Sequence, residues 1–595
     1  MQKITRHTFL KQSLQLSTLA LAFPTHALPI ADELSPAKNT TDQALMKRLV
    51  KANDSQLAQL LASKDEEINR YSRRLGYAFG MLSAAYSNEQ STYHQSPEVS
   101  AYLEKIVRFL LQEQRPDGTM NAGNLESPPD TAFLVELLCA GTSLLVEEDT
   151  KALEEVKSGV KQFLLKAGDA LTVGGVHTPN HRWVISAALA RLNALYPNEK
   201  YVNRIHDWLG EGIYIDSDGH FLERSRNYSE VVDRALITIS RLLDIPSLLE
   251  PVRKNLNMTY YYMEPNGELV TVDSRRQDQY SSKSMVAYYL HYRYLAIRDQ
   301  NHEYAGICRI IEQFEDFGNV LDHALVDFME EPLLQQELPK STPPPTDFEK
   351  FFTTSHLARI RRGDSSTTIF GGVDWPMIIA SGRANSPNFF SFRKGDAVLK
   401  YMRLSSQFFS MGYFRSEGLK KEGNKYVLHQ KLEVPYYQPL PQDKRRQNGD
   451  YALTPSIDDR FWNKMSFADR PTSNIKMLET TVTVEEKNGS NEVSFEVNGQ
   501  DEVAVTIELC FEEEGELSGV SRAEDGEDNF FLEEGTGEYK AGDNSIQFGP
   551  GTVAHRSIHR LEGEKYSSHF GSLRTEGKHV YLTGITPFKH TLTFR

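Results

Sequence analysis

The chain's densest chemistry lies in Thr178-Pro179-Asn180-His181-Arg182-Trp183. Thr178 is a good N-cap and Pro179 suits the first helical position, so Asn180, His181 and Arg182 are expected in the first turn of a helix. Free backbone N–H groups and the positive dipole end favour an anion there and disfavour a protonated imidazole. A neutral His beside an amide and a guanidinium is suited to take a proton from a carbon next to a carboxylate. The same pattern also describes an ordinary capped helix with a surface His.

Three further segments carry similar groups. Asp218 to Ser229 is a polar turn holding Glu223, Arg224, Arg226 and Tyr228, and it runs into a helix expected near Ser229. Tyr228 at that junction can present its hydroxyl to a cleft, although a Tyr in a core with a wet tip is common. Arg115 to Thr131 includes Asn124 and ends in a capped, Pro-led helix start. Asp273 to Asp278 places Arg275 and Arg276 in a loop before a helix. Each alone reads as a solvated loop. Together they gather Arg182, Arg224, Arg226, Arg275 and Arg276 near polar helix entrances.

The elements that must position these groups come in two kinds. From 42 to 338 apolar residues recur at helical spacing, as in Thr131 to Val146, Leu153 to Leu165, His181 to Leu195, Val231 to Leu243, Met285 to Ile297 and Ala305 to Phe317. Consecutive helices with short connections must pack as hairpins, in a solenoid or a ring. No repeat of fixed period is present, which weakens the simple solenoid. Three prolines at 343–345 cannot continue a helix, so 339–350 is expected as an extended spacer. Over 351–595 short alternating segments such as Val398 to Arg403, Lys476 to Glu485 and Val503 to Phe511 predict an antiparallel β-sandwich. The expected fold class is α+β multidomain, all-helical first and all-strand second.

Composition narrows the partners. The 595 residues carry a formal charge of −15 without any Lys/Arg-rich run, so no nucleic-acid partner is expected. Residues 1–27 read as a secretory signal: Lys3, Arg6 and Lys11 precede the apolar stretch Leu14 to Phe23, and Thr25-His26-Ala27 offers a cleavage site. Thr5 to Lys11 is similar to a twin-arginine motif, but His7 stands where the second Arg would be. A periplasmic or secreted protein with no membrane span is expected. Cys139, Cys308 and Cys510 lie far apart and read as buried thiols.

Asn180-His181 at a helix start, the Asp-Gly-x-x-x-Glu-x-Ser-x-x-Tyr pattern ending at Tyr228, and helices followed by strands resemble the heparinase II/III-like polysaccharide lyases and the related exolytic alginate lyases. The architectural resemblance spans the chain after the first 27 residues; the motifs are short. It implies an incomplete (α/α) toroid followed by antiparallel sheets. It also implies β-elimination on an anionic 4-linked uronic-acid polysaccharide, leaving an unsaturated uronate end, with no cofactor required.

Carried over residue by residue, Asn180 would hydrogen-bond the uronate carboxylate and lower the cost of the enolate. Tyr228 would protonate the leaving oxygen and, in a syn elimination, could first take the C5 proton. His181 would be the base for the opposite C5 epimer, or would polarise the carboxylate. Arg182, Arg275 and Arg276 would neutralise charge. Asn124, Glu223, Arg224 and His429 are further substrate-binding candidates.

One departure bears on a metal. Many relatives have a His-x-His-x-Asp stretch in the β-domain, where this chain has Ser381 to Phe390 without histidines. Arg383 and Asn385 would then face substrate, and the structural metal of relatives is in doubt here. His356 and His429 are candidate substitutes, though each also reads as a satisfied strand histidine. Two rival readings remain: a glycoside hydrolase using Asp130 and Glu223 as acid and base, and a non-catalytic glycan-binding protein.

Overall fold

The computed structural model of the chain describes residues 40–63, 73–121, 123, 125–276, 278–279, 281–372, 387–458, 462–524, 527–558 and 576–595. The expected signal (1–27), Asn124, Arg383 and Asn385 lie outside the described residues.

Thirteen α-helices are described: α1 (Gln43–Ala62), α2 (Arg74–Ser87), α3 (Pro97–Glu113), α4 (Pro128–Leu145), α5 (Glu154–Val173), α6 (His181–Leu195), α7 (Glu199–Leu209), α8 (Arg226–Leu243), α9 (Leu249–Tyr261), α10 (Tyr289–Arg298), α11 (His302–Ile311), α12 (Gly318–His323) and α13 (Leu325–Glu330). Their apolar patterns decide their places. α4 and α6 bury most of their circumference and form an inner layer, whereas α7 buries only Tyr201 and Ile205 and lies outside. α2 packs on α4, α4 on α6 and α6 on α8, while α3, α5 and α7 line the outside of that arc. α13 packs back on α2 and α4. This is the incomplete (α/α) toroid.

Two glycines allow the inner helices to approach. A Cβ on Gly76 of α2 would stand 2.8 Å from Leu137 Cδ1, and one on Gly141 of α4 would stand 2.8 Å from Phe79 Cδ1. A larger side chain at either position would push α2 and α4 apart and strip contacts from a core in which Leu82, Leu134 and Leu138 are buried, each contributing about 1.5–3 kcal/mol.

Strands begin with β1 (Asp347–Phe352), β2 (Leu357–Arg362), β3 (Ser365–Phe370), β4 (Phe390–Lys394) and β5 (Ala397–Ser406). β1 starts inside the expected 339–350 spacer, because Asp347–Phe352 pairs in antiparallel register with Leu357–Arg362. The prolines before it are docked on the helices: Tyr260 Oη donates to Pro345 O at 2.9 Å. Among the described residues the strands form a nine-stranded and an eight-stranded sheet plus a two-stranded ribbon. The strand pairs among these residues are antiparallel except that Asn529–Phe531 runs parallel to Lys578–Ile585, and an isolated parallel bridge joins Val553 to Thr583. The large sheets share one apolar core, with the Phe390 ring of β4 tilted against Phe594 of the opposite sheet at 5.5 Å. Phe352, Leu357 and Phe370 join the helical core instead, and Arg359 of β2 binds Glu264 at 2.8 Å. The first strands therefore fasten the sandwich to the toroid. The three cysteines are buried and unpaired, and no helix among the described residues is long and apolar enough to cross a membrane.

Candidate active site

The inner helices run in one direction, since each is separated from the next by an outer return helix. Their N-terminal ends accordingly gather on one rim of the toroid. The sequence candidates converge there through contacts between α4, α6, α8 and the loop before α10.

α6 begins later than the capping pattern predicts. Its first residue is His181, and Asn180 takes the cap position in helical backbone conformation without a side-chain cap. The carbonyl of Thr178 accepts from His181 N at 3.2 Å, so Thr178 closes a preceding turn instead of capping the helix. Freed from capping, Asn180 donates through Nδ2 to Glu223 Oε2 at 2.8 Å, and its backbone N–H donates to the same oxygen at 3.2 Å. Asn180 Oδ1 is buried with no hydrogen-bond partner among the described residues. The amide thus presents an acceptor to the site, whereas direct carboxylate recognition would use its donor.

Glu223 is buried, and its other oxygen takes the Arg276 guanidinium. Arg276 also lies over the Tyr228 ring, 4.2 Å from the centroid. Ser225 caps α8 one residue earlier than Arg226, accepting from Tyr228 N at 3.0 Å and donating to Asp278 Oδ2 at 2.9 Å. The helix expected near Ser229 therefore starts at Arg226, and Tyr228 sits in its first turn. Arg275 N and Nη1 donate to the carbonyls of Glu223 and Leu222 at 3.1 and 3.0 Å, stitching the two loops together.

His181 is a buried residue, not a surface one. Burial pushes its pKa down to about 4, aided by His177 and by the positive charges of Arg276 and Arg73, against Asp130. Its ring meets Phe133 and His177 edge-on at 6.3 and 4.7 Å, and Nδ1 has no hydrogen-bond partner among the described residues. The imidazole is therefore a neutral acceptor at neutral pH. Arg73 bonds Asp130 at 2.6 Å and lies 3.9 Å over Phe133. Sequence reasoning missed Arg73: it merely precedes an apolar helix, and nothing local marks its partner 57 positions away.

The other arginines go elsewhere. Arg182 turns to Glu211 at 2.7 Å and packs on Trp183. Arg224, in left-handed conformation (φ 49°), donates to Thr354 O at 2.6 Å in the β1–β2 turn. Arg226 is fully buried, bound to both oxygens of Asp273 at 2.8 and 3.0 Å and stacked 3.9 Å over Tyr262. It cannot serve an accessible positive site. His429 sits on the strand Lys425–Tyr437, bonded to Glu479 at 2.8 Å.

Beneath the rim a second polar cluster holds the loops. His220 places Nδ1 3.2 Å from Asp216 Oδ2 and Nε2 2.8 Å from Tyr262 Oη, which donates to Asp273 Oδ2 at 2.9 Å. Thr354 Oγ1 donates to Asp216 Oδ2 and Asp218 Oδ2 at 2.6 and 2.8 Å. The loop carrying Glu223 and Tyr228 is thereby tied to the Arg276 loop and to the sandwich. The sequence signal was only an Asp-Gly turn.

For the metal that the resemblance raises, the donor set does not fit. His356 accepts from Leu419 N, His429 is committed to Glu479, and among the described residues no three His, Cys, Asp or Glu side chains are grouped to hold an ion.

No family model and no curated protein matches the chain. Solved structures do. Heparinase III aligns over 96% of this chain and 87% of its own, at 12% identity and a TM-score of 0.54. Chondroitin AC lyase of Streptomyces coelicolor A3 aligns over 93% and 82%, at 11% identity and 0.50. A Paenibacillus xanthan lyase aligns over 93% of this chain but only 58% of its own length, at 11% identity and 0.55. The chain has the toroid-and-sandwich fold of these polysaccharide lyases.

Proposed function

We propose that the protein is a polysaccharide lyase that cleaves a 4-linked uronic-acid polysaccharide by β-elimination. The observation that carries this reading is the meeting, on one rim, of a neutral buried imidazole (His181), a phenol (Tyr228) and a guanidinium (Arg276) lying across that phenol ring. Arg276 neutralises charge that builds on the uronate carboxylate as the C5 proton leaves. His181 takes that proton, the C5–H electrons form the C4–C5 double bond, and the C4–O bond breaks. The Tyr228 hydroxyl protonates the departing oxygen. Asn180 Oδ1 accepts a hydrogen bond from the bound sugar, and Glu223 holds Asn180 and Arg276 in register.

Asp130 and Glu223, the pair a hydrolase would need, are each engaged by an arginine. The basic and apolar first 27 residues support export to where such polymers occur.

Incubation with a panel of uronate polymers tests the reading. We expect ultraviolet absorbance from the new double bond, with Tyr228→Phe lowering the rate by about 10²–10⁴-fold. Saturated products alone would replace elimination by hydrolysis, and unchanged chain length would leave a binding protein.

A further inference from the structure

The toroid is hollow. A cavity of about 1070 Å³ runs down from the rim between α2, α4, α8, α10 and α13. Pockets for drug-sized ligands span roughly 300–1,000 Å³, so this one holds more than a single sugar ring. It shares a wall with the candidate site: Phe133, which meets His181 edge-on, lines it, as do Arg73 and Asn227, the neighbour of Tyr228.

Its charge changes with depth. At the N-terminal ends of the inner helices stand Arg73 and Arg74, with Lys283 beside Asn227. About two turns into α4 and one turn into α8 the wall carries Glu136 and Glu230, and α13 adds Asp327. Arg73 is bonded to Asp130 at the rim, and deeper cations are paired too: Arg191 with Glu330, Arg226 with Asp273, and Arg234 between Glu136 and Glu230 at 3.9 Å from each. Glu136 is 5% exposed, and its Oε1 has no hydrogen-bond partner among the described residues. Burial raises the pKa of Glu136 and pushes Asp327 up to about 6, so added negative charge is resisted at this depth. Tyr77 and Phe133 offer aromatic faces.

We propose that this axial chamber is a glycan subsite for an uncharged, hydroxyl-rich sugar next to the uronate being cleaved, with Glu136 accepting its hydroxyl. The inference rests on the lyase reading and deepens it: the basic rim takes the uronate, and the acidic depth takes a neutral neighbour. A second uronate or a sulfated sugar there would face three carboxyl groups in a low-dielectric space.

Two measurements test it. The first compares kcat/KM for three oligosaccharides: unsulfated alternating glucuronate–N-acetylhexosamine, its sulfated counterpart, and oligomannuronate. We expect the first to lead by about tenfold or more, and Glu136→Gln or Tyr77→Ala to shrink that lead at an unchanged Tm. Equal or better cleavage of either anionic alternative, or a lead unaltered in both variants, overturns the proposal while leaving elimination intact. If none yields an unsaturated product, the lyase reading fails instead. The second measurement, calorimetric binding of an uncharged hexose–N-acetylhexosamine disaccharide to the whole protein, then decides the chamber independently. Binding weakened by Glu136→Leu, which removes the acceptor, supports the subsite; no binding, or binding unaltered by that variant, overturns it.

Discussion

Two buried polar clusters share the loops between α7 and α10, and they treat their polar atoms in opposite ways. Around Arg226, both Asp273 oxygens are bonded, both His220 nitrogens face a partner, and Tyr262 bridges them. Burial by itself would raise the Asp273 pKa, but Arg226 and His220 outweigh it and hold the carboxyl well below the usual range. Around Asn180 and His181, by contrast, Oδ1 and Nδ1 have no hydrogen-bond partner among the described residues and the imidazole is neutral. A fully satisfied cluster specifies how loops pack. One that leaves atoms open bears a desolvation cost that a ligand can relieve.

The largest effect expected from breaking this contrast is in the first cluster. Arg226→Met strands the Asp273 charge and should cost about 3–5 kcal/mol in chemical denaturation. A loss under about 1 kcal/mol would show that the cluster does not hold the loops. In the second, Asn180→Ala removes the acceptor offered to the sugar and should lower kcat/KM by about tenfold, with a smaller loss of stability than Arg226→Met. A Tm drop that accounts for the lost activity would erase the distinction between the clusters.

Acid separates the two by window. Because the folded His181 pKa lies below its ordinary 6.5, its neutral form contributes stability above that value, and the contribution is lost as pH falls from 6.5 towards about 4. Asp273, depressed below 3.8, contributes above that value and loses its share only at lower pH. Replacing His181 with Gln should therefore flatten the pH dependence of Tm between 6.5 and 4 and leave the lower window. The acid limb of the wild-type rate should fall near pH 4, not 6.5. Smallest, Ser225→Ala removes the α8 cap and should cost about 1 kcal/mol, read as a modest fall in Tm.

Much of the fold was legible because burial imposes a period. The apolar period from His181 to Leu195 coincides with α6, although the capping pattern puts its start at Pro179, and Ser490–Gly499 alternates buried with half-buried residues along nearly its whole length. Legibility ended where polar residues are buried. β3, Ser365–Phe370, was not foreseen: its Ser and Thr look like a loop, yet Ser366 bonds Glu264 and Thr368 bonds Arg359. α5 runs eight residues past its expected end at Leu165, because Ala167, Gly168, Ala170 and Leu171 continue its buried face.

The sequence alone determined the succession of helices then strands and the buried thiols, and it placed helix starts within about three residues of where α6 and α8 begin beside Asn180, His181 and Tyr228. These follow from side-chain period and capping chemistry, which act over a few residues. Only the tertiary structure decided what each arginine does. Arg224 and Arg226 stand two residues apart on either side of the α8 cap, yet one reaches the sandwich, the other is sealed against Asp273, and Arg276, 50 residues beyond Arg226, supplies the charge over Tyr228. A guanidinium's role depends on which carboxylate the fold brings to it, and that pairing is set by long-range packing, which no local pattern records.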